Sequence, residues 1–260
     1  MKSKGPIGVF DSGVGGTSIW KEIRELLPSE STIYLADSKN APYGVRTDKD
    51  ILALCIKNTE KLLEMGCKLI VVACNTATTN AISTLRNTFD IPFIGIEPAI
   101  KPAALQSSSK NIGILATKGT LSSQLFHKTS QEHTQNVEVT EIIGEGLVSL
   151  IEEGKLNSPE MTLLLQQYIQ LMINAKVDYI VLGCSHYPYL VPQIKKIIPD
   201  GITIIDSGEA VARQTQAILA QYNLEQKQNG ECYHKFYSNG NPEILARLLD
   251  QNYFVEFLDF

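Results

Sequence analysis

One pattern occurs twice in this chain: an apolar run that ends in a cysteine. Residues 69–74 read LIVVAC and residues 179–184 read YIVLGC. Each run follows a helical pattern and precedes polar residues that can open another helix. Such a repetition indicates an internal duplication of one strand–helix unit, which restricts the chain to folds built from two similar halves.

The duplication extends to the neighbouring segments. Residues 7–12 (IGVFDS) match residues 112–117 (IGILAT), and residues 93–97 (FIGIE) match residues 203–206 (TIID). The matched segments follow one another in the same order in both halves. We therefore expect two similar α/β lobes.

Short runs rich in Val, Ile and Leu alternate with helical patterns along the chain, which is typical of parallel strands covered on both faces by helices. The predicted strands are residues 7–10, 33–36, 69–73, 93–96, 112–116, 137–143, 179–183 and 203–205. Helices are predicted over residues 51–65 and 161–176, after the capping pairs Thr47-Asp48 and Ser158-Pro159. The expected fold class is α/β, with two lobes related by a pseudo-twofold axis and the active site between them.

The second copy of the pattern is complete by Asp206, so the remaining residues should return to the first lobe. This remainder carries a predicted helix at 209–222, a strand at 231–237 and a helix at 241–253. We therefore assign residues 1–97 and 208–260 to the first lobe and residues 98–207 to the second.

Composition excludes several classes of partner. The net charge is −5 and the 23 basic residues are dispersed, so nucleic acid is not an expected ligand. The apolar runs are far shorter than the roughly 20 residues that cross a bilayer, and the N-terminus has no signal-like apolar core. Five cysteines without a Cys-x-x-Cys pair indicate reduced thiols, neither a zinc site nor a disulfide framework. A cytoplasmic protein is expected.

Chemically useful side chains follow the predicted strands at Asp11, Cys74, Thr117 and Cys184. In open α/β sheets, ligands bind outside the carboxyl ends of the strands. Two facing lobes would bring the two cysteines to opposite sides of one ligand. A helix N-terminus lowers the pKa of a thiol from about 8.5, so that both thiol and thiolate are available. A thiolate on one face of an α-carbon and a thiol on the other are sufficient to invert that centre.

Each thiol needs a neighbour that stabilises its charged form, and His186 and Asp11 are the natural candidates.

The glycine-rich segment 11–17 (DSGVGGT) allows two interpretations. It is either a tight turn that needs small residues, or a loop whose backbone amides hold a carboxylate while Asp11 faces the ligand.

Four motifs together resemble the glutamate racemases of the aspartate/glutamate racemase superfamily. They are residues 11–16 (DSGVGG), 42–44 (PYG), 73–78 (ACNTAT) and 183–188 (GCSHYP), in the family's order and spacing. The resemblance implies a cofactor-independent, metal-free isomerase that supplies D-glutamate for peptidoglycan, and hence for the cell wall and cell shape. Members of the family form dimers in differing arrangements, so a homodimer is a further expectation.

The resemblance also implies roles for individual residues. Cys74 would take the proton from D-glutamate with help from Asp11, and Cys184 would take it from L-glutamate with help from His186. The family's acidic residue in the second lobe falls at Glu152 or its neighbour Glu153, and we place it at Glu152.

Amide and hydroxyl donors of Ser12, Asn75, Thr76, Thr78 and Ser185 can hold two carboxylates without an arginine. The full set of residues expected to bind the substrate is Asp11, Ser12, Pro42, Tyr43, Gly44, Asn75, Thr76, Thr78, Thr117, Ser185 and His186. Ser185 stands where the family usually has threonine; its hydroxyl and backbone donor are kept, which leaves local packing and turnover in question.

Other functions fit part of the pattern. A racemase of aspartate or a related amino acid would share the two cysteines. A hydrolase with Cys184 as nucleophile leaves Cys74 without a role, and a non-catalytic two-lobed protein that binds a small anion needs neither thiol. A pyridoxal-phosphate racemase needs a Schiff-base lysine and a phosphate loop, and no lysine here has that setting.

Overall fold

The computed structural model describes residues 5–226, 232–249 and 253–260. These residues form the strands β1 (Ile7–Asp11), β2 (Thr32–Ala36), β3 (Leu69–Val72), β4 (Phe93–Gly95), β5 (Asn111–Ala116), β6 (Glu138–Ile143), β7 (Tyr179–Gly183), β8 (Thr203–Ile205), β9 (His234–Ser238) and β10 (Val255–Phe257). The α-helices are α1 (Thr17–Leu26), α2 (Asp48–Glu64), α3 (Asn75–Thr88), α4 (Ile100–Gln106), α5 (Lys118–Leu121), α6 (Gln124–His133), α7 (Leu147–Glu152), α8 (Pro159–Asn174), α9 (Val191–Ile194), α10 (Gly208–Gln221) and α11 (Pro242–Leu248). Short 3₁₀ turns lie at Ser38–Asn40, Tyr43–Val45 and Tyr187–Leu190.

The strands form two parallel sheets. The first has the order β10-β9-β2-β1-β3-β4, and the second has the order β6-β5-β7-β8. The run β2-β1-β3-β4 therefore has the same arrangement as β6-β5-β7-β8, as the repeated sequence predicts. All strand pairs within both sheets are parallel. The predicted α/β class with two similar lobes is confirmed.

The central strands are apolar because helices cover both of their faces. All positions of β1, β2 and β3 are buried, which is why their sequences are nearly continuous apolar runs and not alternating ones. Strand β6 lies at an edge and has exposed positions, and its sequence mixes glutamate and threonine with isoleucine.

Capping residues set the helix boundaries that the sequence predicts. The Thr47 hydroxyl accepts from the amide of Asp50 at 3.2 Å at the start of α2, and Gly66 beyond its end has φ +81°. The Ser158 hydroxyl accepts from the amide of Met161 at 3.1 Å at the start of α8. The predicted helices at 51–65 and 161–176 thus correspond to α2 and α8.

The two cysteines begin different structures, although we expected a helix after each. Cys74 caps α3, and its Sγ accepts from the amide of Ala77 at 3.4 Å. Cys184 is followed by the 3₁₀ turn Tyr187–Leu190 and then by the short helix α9. Pro188 and Pro192 lie in these two segments and lack the N–H groups that a longer α-helix would use.

The C-terminal residues return to the first sheet. Strand β9 pairs with β2, β10 pairs with β9, and α10 packs against α1. Where we expected one helix over 241–253, α11 ends at Leu248, Leu249 is extended, and β10 follows, which the sequence did not reveal. Residue 231 of the predicted strand 231–237 and residues 250–252 lie outside the described residues.

A continuous cluster of buried side chains joins the two sheets. It includes Ile19 and Trp20 from α1 in the first half and Leu147, Ile151 and Leu182 from the second half. The two lobes therefore pack against each other, and the carboxyl ends of the strands in both sheets face the space between them. No helix in the described parts of the chain is long and apolar enough to cross a membrane.

Candidate active site

A narrow cavity lies between the carboxyl ends of the strands of the two sheets. Its lining residues are Ser12, Pro42, Tyr43, Gly44, Cys74, Asn75, Thr76, Thr117, Val148, Cys184, Ser185 and His186. The first sheet contributes Ser12 and Cys74 from the ends of β1 and β3, and the second contributes Thr117 and Cys184 from the ends of β5 and β7. The structure thus brings the two predicted cysteines to one cavity from opposite sheets.

Cys74 is a buried thiol with two hydrogen-bond partners. Its Sγ donates to the Ser12 hydroxyl at 3.5 Å and accepts from the amide of Ala77 at 3.4 Å. Burial, and then the charge of Asp11, raise the pKa of Cys74, and they outweigh the two hydrogen bonds, which lower it. Our prediction that the helix N-terminus lowers this pKa is wrong for Cys74, because desolvation is the larger effect.

Cys184 has a histidine as its neighbour. The distance from Cys184 Sγ to His186 Nδ1 is 3.7 Å, and His186 Nε2 lies 2.6 Å from Glu152 Oε1. An ionised carboxylate can only accept, so the shorter contact of Nε2, with Glu152, requires a proton on Nε2, whereas the amide of Gly15, 3.2 Å from the same atom, would require Nε2 to accept. Nδ1 faces the sulfur of Cys184. Burial lowers the pKa of His186, but the hydrogen bonds to Cys184 and Glu152 and the charge of Asp11 outweigh it and raise the pKa well above its ordinary value.

Asp11 lies behind the cavity lining and contacts both halves of the protein. Its carboxylate accepts from the amide of Gly16 at 2.7 Å and from the hydroxyl of Ser185 at 3.3 Å. Its side chain is fully buried. Burial raises the pKa of Asp11, and the nearby charge of His186 and the Gly16 amide lower it by less. Asp11 therefore reaches the cavity through Ser12 and Ser185, which do line it.

The glycine-rich loop after β1 holds a carboxylate, but that carboxylate belongs to the protein. The amide of Val14 donates to Glu152 Oε1 at 2.6 Å. A Cβ atom at Gly13 would lie 1.8 Å from Glu152 Oε1, and one at Gly15 would lie 2.2 Å from His186 Nδ1. The loop thus needs small residues because side chains of the second lobe occupy that space, and the carboxylate that its Val14 amide binds is that of Glu152.

Asn75 is a lining residue with an unsatisfied side-chain amide. Its Oδ1 and Nδ2 atoms are buried and have no hydrogen-bond partner in the described structure. Such an unsatisfied group costs about 1–3 kcal/mol, and it lies on the cavity wall. A molecule that supplies both a donor and an acceptor would complete it.

Three threonine hydroxyls close the cavity across the two lobes. Thr76 at the start of α3 lies 2.8 Å from Thr117 Oγ1 and 3.3 Å from Thr120 Oγ1. Thr117 caps α5, and its hydroxyl lies 3.0 Å from that of Thr120.

A family model described as Asp/Glu/hydantoin racemase matches residues 7–215. The chain belongs to this family. It is 42% identical to a glutamate racemase of Ectopseudomonas mendocina (strain ymp), over 95% of this chain and 94% of that one. The protein is therefore an enzyme of the isomerase class.

Solved structures of relatives share the fold. The glutamate racemase of Escherichia coli, in complex with L-glutamate and the activator UDP-MurNAc-ala, has a TM-score of 0.85 and 30% identity, and the match covers 98% of both chains. The glutamate racemase of Francisella tularensis subsp. tularensis SCHU S4, in complex with D-glutamate, has a TM-score of 0.83 and 25% identity over 99% of this chain and 98% of that one.

Within this racemase, two predicted binding residues, Asp11 and Thr78, lie outside the cavity lining. The Thr78 hydroxyl donates to the carbonyl of Val72 and accepts from the amide of Ile96, both at 3.1 Å. It ties β3 to the segment after β4, because the first turn of α3 turns this position toward the sheet. Conversely, Val148 lines the cavity and was missed, since a valine in an apolar helix carries no chemical signal.

Glu152 also lies outside the lining but contacts it through His186. It is the last residue of α7, and its side chain is 11% exposed. Its neighbour Glu153 faces away and pairs with Lys155 at 2.6 Å, with both side chains about half exposed. Of these two glutamates, it is Glu152 whose carboxylate contacts His186.

Proposed function

We propose that the protein interconverts L-glutamate and D-glutamate with Cys74 and Cys184 as paired acid and base. The observation that carries this proposal is that the two thiols line one cavity from opposite sheets. A single base would suffice for proton exchange, but inversion by two groups needs them on opposite faces of the α-carbon.

In the direction from L- to D-glutamate, Cys184 as thiolate removes the α-proton and Cys74 as thiol delivers its own proton to the opposite face. The products of the step are a Cys184 thiol and a Cys74 thiolate, which is the state required for the reverse direction. His186 lies beside Cys184, and Asp11 lies near Cys74. These two side chains would stabilise the protonation states of the thiols and exchange protons with them. The ammonium group of the substrate adds a positive charge to the cavity, which favours the Cys74 thiolate that burial disfavours.

The unsatisfied amide of Asn75 suits an amino acid. We propose that its Oδ1 accepts from the α-ammonium group and that its Nδ2 donates to a carboxylate. Ser12, Thr76 and Ser185 supply further hydroxyls on the same wall. The Pro42–Gly44 segment and Thr117 would bind the second carboxylate. The complexes of two relatives with L-glutamate and D-glutamate support this substrate class.

An aspartate racemase is the second candidate, since the family description covers both amino acids. The glutamate racemases among the relatives, at 42% identity, favour the longer substrate. Initial rates with L-aspartate and L-glutamate under the same conditions decide between them, because faster turnover of aspartate contradicts the proposal.

We further propose that the D-glutamate serves peptidoglycan synthesis, and thereby cell-wall biogenesis and cell shape. A cytoplasmic location and a homodimeric assembly complete the proposal, together with the lobe limits 1–97 with 208–260 and 98–207. Residues 1–4, 227–231 and 250–252 within those limits lie outside the described structure.

The test of the activity is a circular-dichroism assay of L-glutamate without added cofactor. Wild-type protein should bring the ellipticity to zero, and Cys74→Ala and Cys184→Ala should each leave it unchanged. Near-normal turnover in either alanine variant refutes the two-base mechanism, while loss of ellipticity only with aspartate refutes the substrate.

A further inference from the structure

The second carboxylate oxygen of Glu152 has a partner that the proposed mechanism does not use. Oε1 is shared by His186 Nε2 and the amide of Val14, both at 2.6 Å. Oε2 accepts from the hydroxyl of Ser38 at 2.8 Å. Ser38 follows β2 of the first sheet, whereas Glu152 ends α7 beside the second sheet. The hydrogen bond therefore crosses from one lobe to the other.

Ser38 is held firmly on its own side. The amide of its neighbour Lys39 donates to Asn239 Oδ1 at 3.0 Å, and Asn239 Nδ2 donates to Asp37 Oδ1 at 2.5 Å. A Cβ atom at Gly240 would lie 2.7 Å from the Cβ of Ser38, so the segment after β9 presses directly against it. The first lobe thus presents the Ser38 hydroxyl as a fixed donor.

The Glu152 side chain needs such a donor. Glutamate has a long, flexible side chain, and two donors on a single carboxylate oxygen leave the group free to pivot about that oxygen. A third donor on Oε2 fixes the plane of the carboxylate. The orientation of the His186 ring depends on that carboxylate, and the ring in turn faces Cys184 at 3.7 Å.

We propose that Ser38 is a positioning residue which, from the opposite lobe, holds Glu152 against His186 and so keeps His186 aligned with Cys184. The inference rests on the proposed function, because it assigns the aligned pair to the proton transfer at Cys184. It also makes the alignment depend on closure of the lobes: when they separate, Glu152 loses both Ser38 and Val14.

The titration of His186 reports this arrangement directly. The groups that act on its pKa are Cys184 from its own segment, Glu152 from α7 and Asp11 from the end of β1. Glu152 and Asp11 both raise the pKa. When Ser38 is removed, Glu152 can turn toward solvent, so the pKa of His186 should fall while the contribution of Asp11 stays.

The experiment compares Ser38→Ala with Ser38→Thr, which keeps the hydroxyl, and with Tyr189→Phe. The Tyr189 hydroxyl lies 2.6 Å from Thr17 Oγ1, so this control removes a different hydroxyl contact between the lobes. The pKa of His186 is measured by NMR titration of ¹³C-labelled histidine in ligand-free protein. The chain has four histidines, and a His186→Asn variant assigns the signal. The pH profile of kcat/KM for L-glutamate is measured in parallel.

We expect Ser38→Ala to lower the pKa of His186 by about one unit and kcat/KM by about tenfold. Ser38→Thr should restore both, and Tyr189→Phe should leave the pKa of His186 unchanged. In a Glu152→Ala background, Ser38→Ala should have no further effect on that pKa. An unchanged pKa in Ser38→Ala, or an equal shift in Tyr189→Phe, overturns the inference.

The two proposals fail in different ways. The NMR titration needs no substrate, so it decides the role of Ser38 even if the wild-type protein does not act on glutamate. Absence of turnover in the wild-type protein overturns the proposed function. A normal rate together with an unshifted His186 in Ser38→Ala overturns only the positioning role.

Discussion

Replacement of Gly15 by alanine tests whether close approach between the lobes sets the geometry of the site. The new Cβ would lie 2.2 Å from His186 Nδ1 and 2.4 Å from its Cγ, whereas ordinary contacts begin at 3.4 Å. The His186 ring has to move by about 1.2 Å to restore a 3.4 Å distance between its Nδ1 and the new Cβ. The ring moves, and the loop does not, because the backbone of the loop is fixed by the start of α1.

A displacement of about 1 Å at a catalytic group costs roughly 100-fold in rate, or about 2.7 kcal/mol of transition-state stabilisation. We therefore expect kcat/KM of Gly15→Ala for L-glutamate to fall about 100-fold in the circular-dichroism assay. The matched control is Gly66→Ala, which has open space but a φ of +81°, and which should lose about 1 kcal/mol of stability with normal activity. Activity of Gly15→Ala within threefold of wild type refutes the argument.

Three further predictions concern stability and binding. Lys68→Met should reduce the free energy of unfolding, measured by urea denaturation, by about 3–5 kcal/mol. The substitution leaves Glu30, which is 2.6 Å from Lys68 and 5% exposed, as an unpaired buried charge. A loss below about 1 kcal/mol contradicts this prediction. Burial raises the pKa of Asp178, but hydrogen bonds from Ser107–Ser109 outweigh it and hold the pKa well below its usual range. The contribution of Asp178 to stability is therefore present above about pH 4 and is lost as the pH falls further. The stability advantage of wild type over Asp178→Asn should shrink between about pH 7 and about pH 3, and a constant difference refutes this prediction. Asn75→Ala should raise the KM for glutamate at least about tenfold. It should not lower the melting temperature of the protein without glutamate, because it removes an unsatisfied buried amide. A lower melting temperature with an unchanged KM shows a structural role instead.

The architecture was readable from the sequence because buried parallel strands leave a strong local pattern. The repeated runs before Cys74 and Cys184 became β3 and β7, and their equivalent positions in the two sheets follow from the duplication. Strand β10 was missed because three residues are too few to establish a strand period, and its Phe257 is exposed. The length of α11 was overestimated for a related reason, since no proline or glycine marks its end at Leu248.

The cavity lining was also largely predictable, because its chemistry lies in motifs that follow strands. What local sequence could not show was how side chains from one lobe meet the other. The contact between Ser38 and Glu152 spans 114 positions of sequence and depends on packing of the lobes. The direction of the pKa shift at Cys74 depends on burial, which a helix-capping pattern does not report. Thr78 belongs to a predicted motif, yet its side chain is used within the first sheet.

The most direct test of the central claim follows the α-hydrogen of L-glutamate during its first turnovers in D₂O. Two thiols on opposite faces predict that newly formed D-glutamate carries deuterium at the α-carbon, while L-glutamate recovered at the same time still carries protium. D-glutamate that retains the original hydrogen would show one group working on both faces and would contradict the account.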